Sequence, residues 1–569
     1  MRRLTVLIGV LWMGSLLSMA QPKFASKVRK GIVSVNTYDK QGNLLHQGTG
    51  FYVGANGEAV ADYRVFKGAY KAVVIDDSGK SADVDMILGA DDTYSLVRFH
   101  VNTKGNAVIP SVTASQPIKS TIYVLGRKNG GVLGDAQAVI TDTAMIQGKY
   151  VYYGLDKQVE DALIGAPVFN EAGNLMGVLH PQMGGKNYVI DIRFCNELKM
   201  SAFLNGSTAV ALNNIFIPKA LPETQEEALV YLYTKSRSTS NEEYLDMLNR
   251  FIATYPKNAE GYFRRATPLI DMTRFDEADH DLQQYLSLAG DKAIANYNVA
   301  TLVFDKLRLQ PEPAYEKWNI DVALKYVDTA LSLNASQTPG DEQKTEKARY
   351  LILKGMMLMN EKRYDDALAV YEELNRESGG ASPTYLYAIS MAREGRGDSI
   401  EAVMEPIDSA IAKFGTPLPS EAANFIMRRG QLYANSGKYR EAVQDYNQYA
   451  YLMNDKVSPV FYYERSQIEV NARMYQPALD DINKAIELAP REPLYYVEKA
   501  ALTVRVNLFD ECIEACQTAI RLNPDIIDTY RIMGYAQLQK GDTTAARANM
   551  QKAADMGDET AKRLLSTLF

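Results

Sequence analysis

The stretch 474-MYQPALDDINKAIELAP-490 returns 34 residues later as 508-LFDECIEACQTAIRLNP-524. Tyr462, Tyr496 and Tyr530 keep the same 34-residue interval, as do Ala485, Ala519 and Ala553, and Pro490 with Pro524. Self-similarity at a fixed period of this length marks a stack of supersecondary units, each with an apolar face it cannot bury alone. Apolar residues within each copy recur at helical spacing, in two runs separated by a turn. Small residues fall where two such helices would cross: Ser466, Ala500 and Gly534 on the first, Ala478, Cys512 and Ala546 on the second.

Looser copies lie upstream. Each of 430-GQLYANSGKYREAVQDYNQY-449, 355-GMMLMNEKRYDDALAVYEEL-374 and 275-FDEADHDLQQYL-286 keeps an aromatic residue three before the crossing alanine. Insertions such as 309-LQPEPAYEKW-318 lengthen the connections. The pattern resembles the tetratricopeptide repeat. It predicts an all-α solenoid over 223–569, with roughly nine helical pairs and a capping helix near 558–568. The resemblance implies a protein or peptide partner held in a concave groove lined by the first helices. In that register Tyr463, Val497, Arg531 and Tyr535 point into the groove, with packing against the next repeat as the alternative for each. The paired Lys/Asn clamp that some relatives use for a terminal carboxylate is not evident.

The whole chain has 569 residues, more than one hydrophobic core organises, so several domains are expected. Tyrosine stands out, with 36 residues against 17 Phe and 2 Trp, and an apolar ring with a polar tip suits interfaces as well as cores. Residues 1–20 read as an export signal. Arg2-Arg3 precede the apolar run Leu4 to Leu17, and Ser18-Met19-Ala20 places small residues before Gln21. That reading predicts a mature chain from Gln21, exported to the periplasm or cell envelope, or secreted, with no membrane insertion after cleavage. Loss of Arg2 and Arg3 takes the net charge from −7 to −9. Residues 21–222 carry +3 and residues 223–569 carry −12, which argues against nucleic acid and anionic membrane as main ligands.

Chemistry-bearing residues are sparse. The 3 cysteines, Cys195, Cys512 and Cys516, are too few for a disulfide-built fold. Cys512 and Cys516 lie four apart on a predicted helix with no further ligand nearby, so they read as packed thiols. His46, His100, His180 and His280 share no metal-ligand spacing and read as surface or satisfied core residues. The glycine-rich 126-GRKNGGVLG-134 lacks the Lys-Ser/Thr of a phosphate cradle. No metal and no cofactor are expected.

Residues 21–205 alternate in the strand sense, as in 31-GIVSVNTY-38, 71-KAVVIDD-77, 121-TIYVLGR-127 and 136-AQAVITD-142. Turn residues separate these runs, which predicts one closed β-barrel or a pair, joined to the helices by a linker at 206–222. The order 48-GTGFYVGANGEAVADYRVFKGA-69, 93-TYSLVRF-99, 165-GAPVFNEAGNLMGV-178 and 188-YVIDIRF-194 resembles secreted trypsin-like peptidases of the HtrA kind. The resemblance implies a trypsin-like double barrel and puts Arg64 where the family has its histidine. Thr93 stands for its aspartate and Ile164 for its nucleophilic serine, and Ala162 and Ala166 replace loop glycines. Residues 154–170 contain no Ser, Thr or Cys, and no histidine lies between His46 and His100, so a slipped alignment restores neither nucleophile nor base. Arginine keeps its proton and cannot accept another. No catalytic residue is therefore expected. The leading expectation is a non-catalytic pseudo-peptidase barrel fused to a binding solenoid. The alternatives are a serine endopeptidase with non-standard catalytic residues, and a structural adaptor whose barrel binds no peptide.

Overall fold

The computed structural model describes residues 22–127, 133–183, 185–380 and 382–568. The predicted signal and residues 128–132 of the glycine-rich loop lie outside them. Two compact units divide the chain, one up to Leu288 and one from Ala289 onward, and each is described by itself.

Twelve strands build the first unit's β structure: β1 (Ile32–Tyr38), β2 (Leu44–Tyr52), β3 (Glu58–Asp62), β4 (Lys71–Ile75), β5 (Ser81–Asp91) and β6 (Leu96–Val101), then β7 (Thr121–Arg127), β8 (Leu133–Ile146), β9 (Tyr150–Leu155), β10 (Pro167–Phe169), β11 (Leu175–Met183) and β12 (Lys186–Asp191). They close into two antiparallel barrels, in the orders β1-β2-β3-β6-β5-β4 and β10-β11-β12-β9-β8-β7. This is the double barrel that the sequence resemblance implied. Closure leaves no unpaired sheet edge.

Strand alternation explains why several strands are apolar on both faces. Val33, Val35, Val97 and Phe99 fill the first barrel. Val124, Ile140 and Val189 fill the second. The intervening residues Ile32, Phe51, Leu96, Leu125, Phe169 and Ile190 gather in a third cluster, where the barrels meet. The buried Arg127 ties the seam, donating from Nη2 to the Ile32 carbonyl at 3.1 Å and to Asp77 at 2.9 Å.

The stretch 206–222, read from sequence as a linker, is instead built into the first barrel. Its helix Gly206–Asn213 packs on β5. Leu212, Ile215 and Ile217 are buried in the first barrel's core cluster. The Ile87 N–H donates to the Pro218 carbonyl at 2.8 Å and the Ala220 N–H to the Ile87 carbonyl at 2.9 Å, so residues 218–220 run beside β5 like an added strand. Apolar side chains at this irregular spacing find their partners on β5, which periodicity along the stretch could not reveal.

Helical pairs follow. Gln225–Lys235 with Asn241–Thr254, and Ala259–Asp271 with Phe275–Leu288, belong to the first unit. Seven pairs among the described residues of the second unit run from Lys292–Leu309 to Thr543–Asp555, and Glu559–Leu568 ends the chain's helices. The crossing residues are where the repeat pattern put them. Ser466, Ala478, Ala500, Cys512 and Ala546 are all fully buried, and a Cβ on Gly534 would meet the Ala546 carbonyl at 3.0 Å. Two further devices recur. Arg265, Arg429 and Arg465 each clasp an aspartate sixteen residues on (Asp281, Asp445, Asp481) with two parallel N–H···O bonds of 2.6–2.8 Å. Tyr262, Tyr496 and Tyr530 donate their hydroxyls at 3.0–3.1 Å to the carbonyl of the proline six residues before, across the turn between pairs. Each planar fork joins the two helices of one pair in fixed geometry.

Candidate functional site

Three connecting segments and one strand converge where the two barrels face each other. The short helix Tyr63–Phe66 follows β3, and the turn before β6 carries Thr93 and Ser95. From the second barrel come the 3₁₀ turn Asp161–Leu163 with Ile164 and Gly165 after it, and His180 on β11. Contact is close: a Cβ on Gly165, at φ +82°, would lie 2.7 Å from the Asp62 Cβ. That position needs glycine both for its backbone and for the approach.

Asp62 organises the cluster. It is 3% exposed and caps the Tyr63–Phe66 helix by accepting the Arg64 N–H at 2.8 Å. The Arg64 guanidinium folds back onto the same carboxylate, with Nε at 3.0 and 3.1 Å and Nη2 at 2.5 Å. Ser95 donates its hydroxyl to Asp62 at 2.9 Å, from a backbone at φ +51°. The hydrogen bonds that Arg64 donates to Asp62 hold the guanidinium proton even more firmly than usual. His180 is 8% exposed, with Nδ1 3.1 Å from the Pro181 carbonyl and its ring edge-on to Tyr152, centroids 5.6 Å apart. Burial pushes its pKa down, so the ring is neutral near pH 7.

The amides of residues 163–166 in the loop before β10 are all bonded within the protein. Leu163 donates to Glu160 at 2.9 Å, Ile164 to Asp161 at 3.1 Å, Gly165 to Leu179 at 2.8 Å and Ala166 to Leu163 at 3.0 Å. An oxyanion needs preorganised donors free to receive it. Here four consecutive amides are committed to protein carbonyls. Ile164 itself is half-buried and Thr93 is exposed.

The Asp-x-Arg clasp is not unique to the cleft. After β12, Asp191 caps the next turn through the Arg193 N–H at 3.0 Å, and Arg193 Nε returns to that carboxylate at 2.9 and 3.0 Å. The repeated geometry identifies Asp62–Arg64 as a local strap closing a strand end.

On the solenoid, Tyr463, Val497, Arg531 and Tyr535 sit on the first helices of three successive pairs. Tyr535 is exposed, whereas Tyr463 and Val497 are half-buried. The Tyr463 ring lies against Tyr495, with centroids 5.3 Å apart, and its hydroxyl accepts from Gln467 at 2.8 Å. Arg531 is engaged within the protein, pairing with Asp528 and with Asp558 at 2.6 Å. Asp558 in turn caps the last helix through the Ala561 N–H at 3.0 Å. Arg531 thereby holds the terminal helix.

Residues 423–453 match the family model described as tetratricopeptide repeat. They span the helices Ala423–Asn435 and Tyr439–Leu452, one crossing pair of the array. The chain carries tetratricopeptide repeats. The anti-sigma-I factor RsgI9 of Acetivibrio thermocellus is 26% identical over 155 residues, which are 26% of this chain and 21% of that protein. The chain thus spans about a fifth of that relative's length. A crystal structure of the serine endoprotease from Yersinia pestis is similar at 18% identity, covering 30% of this chain and 62% of that one with a TM-score of 0.27. The barrels rest on their own strand pairing, and the tetratricopeptide array on its repeated crossings.

Among the described residues no cluster of three or more His, Cys, Asp or Glu side chains is placed to hold a metal ion. No helix among them is long and apolar enough to cross a membrane. Asp62, Ser95 and His180 were not singled out for the cleft by sequence reasoning. The one local signal available is an aspartate directly before the helix Tyr63–Phe66, a helix N-cap pattern.

Proposed function

We propose that the protein is an exported, non-catalytic binding scaffold, in which a pseudo-peptidase double barrel accompanies a tetratricopeptide array that captures a protein or peptide partner. The observation that carries this reading is the loop 163–166, whose amides are all bound internally around an aliphatic Ile164. Acyl transfer needs a nucleophile activated by a base and an oxyanion site. Arg64 sits as a paired cation where a base would stand. Export rests on the basic, apolar, small-residue order of residues 1–20. Partner capture belongs to the concave face of the array, with Tyr535 and Tyr463 contributing, because tyrosine offers contact area at little entropic cost. The test is capture of envelope proteins by the full chain and by a Tyr535→Ala variant, with crosslinking in the native envelope to name the partner.

One arrangement favours the endopeptidase alternative: the Ser95 hydroxyl on Asp62 with His180 nearby. Ser95 is 7% exposed and donates its proton to a carboxylate already forked by Arg64. A buried hydroxyl held in that way has no path to a peptide carbonyl, so the scaffold reading stands first.

A further inference from the structure

The segment after the barrels encloses a cavity of about 260 Å³ with the first two helices of the array, all within the first unit. Its apolar lining comes from Met200, Leu204, Leu212, Ile217, Tyr231 and Met247. Lys219 is part of the same lining. Its backbone is fixed by the neighbouring Pro218 and Ala220 bonds to Ile87, and its own carbonyl accepts Arg250 Nη1 at 2.9 Å. The side chain returns into the cavity wall, where the ammonium donates to the Ile215 carbonyl.

The charges around it are unbalanced. Arg250 pairs with Asp246 at 3.1 Å, which cancels those two. Lys219 and Lys235 remain, facing Glu243 alone, and Lys235 stands over the Tyr231 ring at 5.5 Å. Three cations and two carboxylates line the cavity, an excess of one positive charge in a chain of net charge −7. A half-buried ammonium with one carbonyl acceptor gains from a carboxylate far more than a solvated lysine does. Burial also pushes the Lys219 pKa down to about 8, with Lys235 adding to the shift and Glu243 opposing it. An anion arriving beside it would reverse that shift.

We infer that this cavity is a binding site for a small carboxylate with an apolar tail, its head on Lys219 and its chain against Met200, Leu204 and Met247. A purely apolar guest would leave the ammonium facing hydrocarbon, and a cationic one would meet like charge. The position is fixed at the join between barrel and first helices, so occupancy would stiffen that join through Ile217, Tyr231 and Met247 together. This inference is independent of the scaffold reading.

The experiment is calorimetric titration of the full mature chain with octanoate, with octylamine (same tail) and acetate (same head) as controls. Octanoate should saturate one site, and the two controls should bind about tenfold more weakly or worse. Lys219→Met should weaken octanoate roughly ten- to a hundredfold, while Lys219→Arg retains binding. Leu204→Trp, which fills the cavity and leaves Lys219 in place, should also abolish it and covers the case in which Lys219→Met fails to fold. In the unmodified chain octanoate should slow acylation of Lys219 by acetic anhydride, read by mass spectrometry. Absence of saturable octanoate binding, equal binding of octylamine, or undiminished binding by either cavity variant would overturn the assignment.

Discussion

Arg64 folds back onto Asp62, two residues before it, with Nε 3.0 and 3.1 Å from the two carboxylate oxygens. Arg193 makes the same return onto Asp191 after β12. The arginine that replaces a catalytic histidine in the family resemblance is thus one of two copies of a strand-end strap. Its carboxylate partner is buried, while the Arg64 side chain is 51% exposed and that of Arg193 is 28% exposed.

Removing either arginine leaves a buried carboxylate short of donors, and the loss grows with burial of the pair. Arg193→Ala should therefore destabilise its barrel by about 2–3 kcal/mol, and Arg64→Ala by about 1 kcal/mol, since water reaches the exposed Arg64 site and Ser95 still donates to Asp62. Hydrogen exchange of barrel peptides in the full chain reads both. Equal losses would contradict the ranking.

Glu469 supplies a pH dependence in the array. It is 3% exposed, its Oε2 finds no partner, and burial, with Asp481 and Asp480 nearby, raises its pKa to about 8 against the pull of Arg465. A carboxyl raised above its unfolded value of 4.5 favours the fold most fully below that value. The contribution fades as pH rises from there through about 8, where Glu469 ionises in the folded state. Glu469→Gln should flatten the fall in melting temperature between pH 5 and 9 and raise it at the alkaline end. An unchanged pH profile would contradict the buried, protonated carboxyl.

The tyrosines separate binding from packing. Tyr535 is 41% exposed, so Tyr535→Ala should weaken partner capture, by about 1–2 kcal/mol, with little change in melting. Tyr463 is packed on Tyr495 and bonded by Gln467, so Tyr463→Ala should also lower the melting temperature. Arg531→Ala should fray the helix Glu559–Leu568, seen as faster exchange there, because Asp558 loses its partner.

Legibility in the sequence followed the range of the interactions. The array was readable because each crossing residue lies on its neighbour's helix, so a 34-residue period reports the packing directly. The barrels were readable from alternation and turn order. The cleft was readable only at Arg64, Thr93 and Ile164, through the family resemblance. Asp62 meets Gly165 only when strands far apart in the chain close their barrels. Lys219 was hidden for a similar reason: its surroundings come from β5 and from two helices downstream.

The cysteines offer a check on the packing. Cys195, Cys512 and Cys516 are all buried, and burial pushes Cys195 up to about 12. All three should resist alkylation in the native chain at pH 8 and react fully once it is unfolded. Rapid native labelling of Cys512 or Cys516 would place the last helical crossings out of contact.

The central claim is that the cleft between the barrels performs no acyl transfer. Its most direct test is incubation of the full chain with a serine-directed phosphonate and with unfolded casein. A phosphonate reacts only with a hydroxyl made nucleophilic by a neighbouring base. Neither labelling nor cleavage is expected, and Ile164→Ser alone should stay silent because Arg64 remains on Asp62 and the loop amides remain bound. Labelling of the unmodified chain at Ser95, or casein turnover that disappears on Ser95→Ala, would contradict the account.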